Sequence, residues 1–134
     1  MKTQIQKDHT TKVLVVDDER EIRDLLSGFL EEAGFLVTLA KNGTEALTRA
    51  KEFLPDVILL DIILPDLDGI SVYESLRQSK TMSHIPVLFF SALSNSMPKH
   101  LSREKGLAPY SFIPKPVSAG LLMSEIRKLI GGHD

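Results

Sequence analysis

The sequence predicts a doubly wound α/β domain: a five-stranded parallel sheet covered on both faces by helices. Two observations carry this. Short, continuous apolar runs rich in β-branched residues recur along the chain, as in strands buried on both faces. Between them lie stretches whose apolar residues recur at spacings of three and four, as on one face of a helix.

The first run is Val13-Leu14-Val15-Val16. A helical stripe follows, with Ile22, Leu25, Leu26, Phe29, Leu30 and Ala33 on one face and Gly34 as its stop. Residues 36–40 form a second, weaker strand, and Asn42-Gly43 turns the chain into a second helix marked by Ala46, Leu47 and Ala50. Pro55 separates that helix from the third strand, Val57-Ile58-Leu59-Leu60, which has Asp61 at its carboxyl end. After a loop at 65–69, Ile70, Tyr73 and Leu76 mark a third helix. Residues 86–90 are a fourth buried strand. Residues 95–105 read as a fourth helix, in which Pro98 is acceptable only in the first turn. Residues 110–113 make a short fifth strand, and Leu122, Ile126, Leu129 and Ile130 form the last stripe, closed by Gly131-Gly132.

Composition narrows the function classes. At 134 residues the chain has one domain's length. It has no cysteine, which excludes disulfides, a thiol nucleophile and thiolate zinc sites. A net charge of −2 provides no overall field for nucleic acid or an anionic membrane. Residues 1–11 are polar, so they read as a flexible tail before a domain at 12–134, and neither a signal peptide nor an anchor is expected. The expected location is cytoplasmic.

In such sheets the site lies beyond the carboxyl ends of the strands. Asp17 and Asp18 follow the first strand, Asp61 the third, Ser91 the fourth and Lys115 the fifth. Carboxylates with room for water suit Mg²⁺, and a lysine and a hydroxyl suit phosphoryl oxygens. The set reads as metal-assisted phosphoryl chemistry. Taken singly, each residue has a plainer reading. Asp17 and Asp18 would cap a helix, Asp18 forming a capping box with Glu21. Asp66 and Asp68 would be loop and cap residues, Ser91 a strand end, Lys115 a loop lysine, Phe112 core, and the four histidines surface. Asp61 resists such a reading, because a carboxylate beside an apolar strand costs free energy.

The ordered motifs VLVVDDE (13–19), NGTEAL (42–47), DVILLDIILPDLDG (56–69), PVLFFSA (86–92) and KP (115–116) resemble the receiver domains of two-component response regulators. The resemblance implies a flavodoxin-like sheet of order 2-1-3-4-5. It implies that Asp61 is the phosphoacceptor, taking its phosphoryl group from a sensor histidine kinase or a histidine phosphotransfer protein. It implies Mg²⁺ held by Asp17, Asp18, Asp61 and the backbone carbonyl of Ile63. Ser91 and Lys115 would contact the phosphoryl group. Ser91 and Phe112 would form a switch that remodels the face of the fourth helix, fifth strand and last helix, with a cis Lys115-Pro116 bond. Such a domain assists only its own phosphorylation and dephosphorylation and is not otherwise an enzyme.

Its expected partners are the phosphodonor and a downstream protein, with no direct nucleic acid and no membrane. Alternatives are a receiver that binds partners without phosphorylation and a Mg²⁺-dependent aspartyl-phosphate hydrolase. The latter wants Asp-x-Asp, whereas Ile62-Ile63 follow Asp61. No glycine-rich phosphate loop follows the first strand, which counts against a nucleotide binder. The chain ends without an output-domain sequence, leaving a free-standing receiver or a fragment of a longer regulator.

Many receivers carry Gly-Ala-Asp-Asp where this chain has Ala108-Pro109-Tyr110-Ser111, so the dimer supported by that acidic pair is not expected. A monomer or a weak phosphorylation-dependent dimer is. In the family this chain resembles, the positions two residues beyond the phosphoacceptor and the strand-end serine tune loss of the phosphoryl group; here they are Ile63 and Leu93, apolar residues that cannot orient an attacking water. A phosphoryl group on Asp61 is therefore expected to be lost slowly once the donor is removed, followed by intact mass. Loss within seconds would refute the shielding.

Overall fold

The computed structural model describes residues 10–92 and 110–131. Within them the order is β1 (Lys12–Val16), α1 (Arg20–Glu32), β2 (Leu36–Ala40), α2 (Gly43–Phe53), β3 (Val57–Asp61), α3 (Gly69–Arg77), β4 (Val87–Ser91), β5 (Tyr110–Pro114) and α4 (Ala119–Gly131). The helix expected at 95–105, like Leu93, lies outside the described residues. The sheet is parallel throughout, in the order β2-β1-β3-β4-β5.

Strand alternation divides the core in two. Leu14, Val16, Ile58, Leu60, Val87 and Phe89 pack with Ala46, Ala50, Val72 and Tyr73 of α2 and α3. Val13, Val15, Leu59, Phe90 and Ile113 pack on the other face with Leu26 and Leu30 of α1 and Leu122 and Ile126 of α4. The expected α1 stripe is narrower than its spacing suggests. Leu25 is 48% exposed, and Ala33 is also exposed. A helix resting on a flat sheet buries only its central line, which here passes through Leu26 and Leu30.

Three helix ends show how local sequence sets the boundaries. At the end of α1, Gly34 has φ +96°, and its N–H and that of Phe35 return to the carbonyls of Glu31 and Leu30. This is the paired closure that a left-handed glycine permits. Asn42-Gly43 is not a free turn but the start of α2: Asn42 Oδ1 accepts from the Glu45 N–H, and Glu45 Oε1 accepts from the Lys41 N–H. Asp68 caps α3 by accepting from the Ser71 N–H, as its sequence position suggests. The capping box expected of Asp18 and Glu21 does not form. Glu19 occupies the N-cap of α1 without a side-chain cap bond, and Asp17 Oδ1 instead accepts from the Glu19 N–H.

Gly69 sets how closely α3 approaches β3. Its N–H donates to the Ile62 carbonyl at 2.7 Å. A Cβ there would collide with the Asp61 carbonyl oxygen and stand 2.8 Å from Ile62 Cα. Both obstacles are backbone and cannot rotate away. Gly69→Ala is expected to lower stability by about 1–3 kcal/mol in urea unfolding. A loss of under about 0.5 kcal/mol, typical of surface substitutions, would show that the approach is not tight.

Candidate functional site

Strand register assembles the carboxyl-terminal rim. Val16 lies opposite Leu60, so the next residues, Asp17 and Asp61, emerge at one level. Ser91 lies opposite Pro114, so Lys115 follows beside it. The ladder continues past the strands: the Asp17 N–H donates to Ala40 and the Lys115 N–H to the Ser91 carbonyl. By period-two alternation Asp17 continues the row of Val13 and Val15, Asp61 that of Val57 and Leu59, and Lys115 that of Ile113. The two carboxylates and the ammonium therefore meet.

Lys115 Nζ lies 3.0 Å from Asp17 Oδ2, 3.1 Å from Asp61 Oδ2 and 3.7 Å from Glu19 Oε1. It also stands 5.2 Å from the centre of the Phe90 ring. The Lys115-Pro116 bond is cis. Asp17, Asp61 and Ser91 are buried. Asp61 Oδ1 accepts from the Ile63 N–H at 3.1 Å. A cavity of about 310 Å³ opens over the group, lined by Asp18, Glu19, Asp61, Ile63, Ser91 and Lys115, among others. Ala92 lines it too and takes little space beside Ser91. Ile63 is 56% exposed at its mouth.

Burial pushes the Asp61 carboxyl up to about 6, and the charge of Asp17 adds to this. The Ile63 N–H and the Lys115 ammonium act in the opposite direction. Burial works against the charge on Lys115, but contacts with Asp17 and Asp61 outweigh it and hold its pKa above the ordinary value.

The donor set fits a hard divalent cation. Asp17, Asp18 and Asp61 can each bring one carboxylate oxygen within 4.8 Å of the others, with Asp18 on the solvent side. Asp17 Oδ2 is buried and accepts no well-formed hydrogen bond, despite the ammonium 3.0 Å away. An all-oxygen set open to water on one side is what Mg²⁺ takes.

All of the expected rim residues thus line one cavity or border it. Phe112 lies apart, half-buried against the α2–α3 face of the core. Sequence reasoning missed two contributors. Glu19 is the third of three consecutive acids, which was a usable signal. Arg23, whose Nη1 donates to the Asp17 carbonyl at 2.8 Å, carried none, because the contact reaches back from the second turn of α1. His84 is exposed as expected, and the other three histidines lie outside the described residues. No helix among the described residues is long and apolar enough to cross a membrane.

A doubly wound sheet with an acidic pocket and a lysine at this rim defines a class, and the chain belongs to it. The family model for the response regulator receiver domain matches residues 13–127, so this is a receiver domain of two-component systems. The alkaline phosphatase synthesis transcriptional regulatory protein PhoP of Bacillus subtilis is 44% identical over 111 residues, covering 81% of this chain and 45% of that protein. The DNA-binding dual master transcriptional regulator RpaA of Synechocystis is 34% identical over 123 residues, 92% of this chain and 50% of that protein. The chain spans about half the length of these curated relatives. Among solved structures, chemotaxis protein CheY4 of Vibrio cholerae matches with a TM-score of 0.79 at 27% identity, covering 90% of this chain and 99% of that one.

The raised Asp61 pKa has a consequence for stability. Between 3.8 and about 6 the folded protein holds a proton that the unfolded chain has released. Stability attributable to this group therefore falls as pH rises through that window. In chelator, Asp61→Asn is expected to exceed the parent in stability at neutral pH by about 1–3 kcal/mol. The gain should vanish in acid below the lower value. A gain independent of pH would show that burial of the charge is not its source.

Proposed function

We propose that Asp61 accepts a phosphoryl group from a phosphohistidine on a sensor kinase or a histidine phosphotransfer protein, and that the domain signals through the change. The observation that carries this is the placement of Lys115 Nζ between the buried carboxylates of Asp17 and Asp61, at the floor of an open cavity. An Asp61 carboxylate oxygen attacks phosphorus, the P–N bond breaks, and the imidazole leaves with the bonding pair and takes up a proton. Such transfers need alignment and charge neutralisation more than covalent help.

Lys115 neutralises the incoming phosphoryl oxygens, and the Ser91 hydroxyl hydrogen-bonds one of them. The Ile63 N–H holds the Asp61 carboxylate in a fixed orientation. Asp17, Asp18, Asp61 and the Ile63 carbonyl would hold Mg²⁺, which when bound neutralises phosphoryl charge. Phe112, on the edge strand, follows Ser91 as the second member of the switch. In this reading the domain assists only its own phosphorylation and dephosphorylation, in the cytoplasm. It passes the signal on by protein contact, any nucleic-acid binding residing elsewhere.

The test is intact mass after incubation with acetyl phosphate, with and without Mg²⁺, on the parent and on Asp61→Asn. One phosphoryl adduct that requires Mg²⁺ and disappears in Asp61→Asn is expected. A folded parent that gains no adduct from acetyl phosphate or from a phosphohistidine donor would overturn the proposal and leave a receiver that binds partners without phosphorylation.

A further inference from the structure

The loop from 62 to 68 carries the groups that aim Asp61, yet little of it is buried. Its ends are pinched together by the Gly69 N–H on the Ile62 carbonyl. Ile62 is buried in the core, but beyond it Ile63, Pro65, Asp66 and Asp68 are exposed, and only Leu64 and Leu67 lean on the core. What holds the middle is Asp66. Its Oδ1 accepts from the N–H groups of Gly43 and Leu67, at 2.8 and 2.7 Å. Its Oδ2 accepts from the N–H and the hydroxyl of Thr44, at 2.9 and 2.7 Å. Four donors converge on one carboxylate and hold its pKa well below the ordinary range, the Thr44 contacts contributing most.

The partner surface is shaped to receive it. Gly43 and Thr44 are the first two residues of α2, whose N–H groups have no partner within the helix. Asn42 takes the third such group, that of Glu45, and leaves the first two to Asp66. Gly43 also lacks the Cβ that would stand 2.7 Å from Leu67 Cβ and 3.3 Å from Asp66 Oδ1. A missing side chain on one element and a fully engaged carboxylate on the other form a latch.

We propose that Asp66 is a positioning residue for the phosphoacceptor loop: by latching the loop to the start of α2, it holds Ile63 where its N–H orients Asp61 and its carbonyl faces the acidic pocket. This rests on the function proposed above, but the latch itself can be read without it. The hydrogen bonds of the Asp66 carboxylate reach Gly43, Thr44 and Leu67 and none of the rim residues, so its effect is transmitted by the backbone of residues 63–65.

The experiment uses the full chain and three variants: Asp66→Ala, Asp66→Asn and Thr44→Val. In metal-free protein, amide hydrogen exchange at Ile63 and Leu67 should speed up roughly tenfold in Asp66→Ala, while protection in β1, β3 and β4 stays unchanged. Asp66→Asn, which keeps one acceptor oxygen, should recover part of the protection. In phosphorylation by acetyl phosphate, the half-saturating Mg²⁺ concentration should rise roughly tenfold. The dependence on acetyl phosphate at saturating Mg²⁺ should not change, because Lys115 and Ser91 are not on the loop.

Unaltered exchange at Ile63 would overturn the proposal. So would equal shifts in both concentration dependences with protection lost across the sheet, which would make Asp66 a general stabiliser. A parent that takes no phosphoryl group would defeat the function reading, and exchange at Ile63 would still decide the latch. If Asp66→Ala does not fold, Thr44→Val removes one of the four bonds and should give the same pattern at roughly threefold.

Discussion

The contact between Lys115 Nζ and the carboxylates of Asp17 and Asp61 is what makes this rim of the sheet possible. Two buried carboxylates side by side repel one another, and each loses several kcal/mol of hydration. Strand register leaves them no alternative, because Asp17 and Asp61 follow paired residues of neighbouring central strands. One ammonium, itself only 17% exposed, answers both charges. It answers them incompletely, since Asp17 Oδ2 still lacks a well-directed donor. A hydrophobic replacement of the whole group would cost the fold little. The group therefore retains unbalanced negative charge, which is the feature the proposed Mg²⁺ site rests on.

The same constraint explains why the rim was legible in the sequence. Period-two alternation and the rule that sites lie beyond strand ends are both local, and together they select Asp17, Asp61, Ser91 and Lys115. Strand positions were equally legible from the short apolar runs, whereas the sheet order came from the family resemblance and not from the runs themselves. Two misreadings share a different cause. Leu25 belongs to the α1 stripe by spacing, but spacing does not reveal how narrow a contact a flat sheet offers. Asp18 has the residue types of a capping box, yet the chain turns one residue later, at Glu19. Asp66 was assigned to a loop correctly, but its partners lie 22 and 23 residues away, beyond the reach of any local pattern.

The edge of the sheet beyond the site is built differently from the charged edge that many receivers carry. Tyr110 and Ser111 occupy the place of the acidic pair, and both are engaged within the molecule. Tyr110 packs edge-on with Tyr73 and Phe89, at centroid distances of 5.6 and 5.9 Å, and Tyr73 and Phe89 meet at 5.5 Å. The Arg77 guanidinium stands 5.4 Å from the Tyr73 ring. On the opposite face of the strand, Ser111 Oγ donates to Glu125 Oε1 at 2.6 Å, and Lys128 reaches the other oxygen. That hydrogen bond from Ser111 holds the Glu125 carboxyl below its usual range.

This rearrangement also fixes the edge strand against its neighbours. The Lys115 N–H on the Ser91 carbonyl, with Ser91 opposite Pro114, ties the rim ends of β4 and β5 together. Phe112 and Tyr110 lie further back along β5, both against the α2–α3 face of the core. Here the positions of the acidic pair stabilise β5 against α3 and α4. A displacement of the edge strand must then repack rings of fixed shape, which have few alternative arrangements.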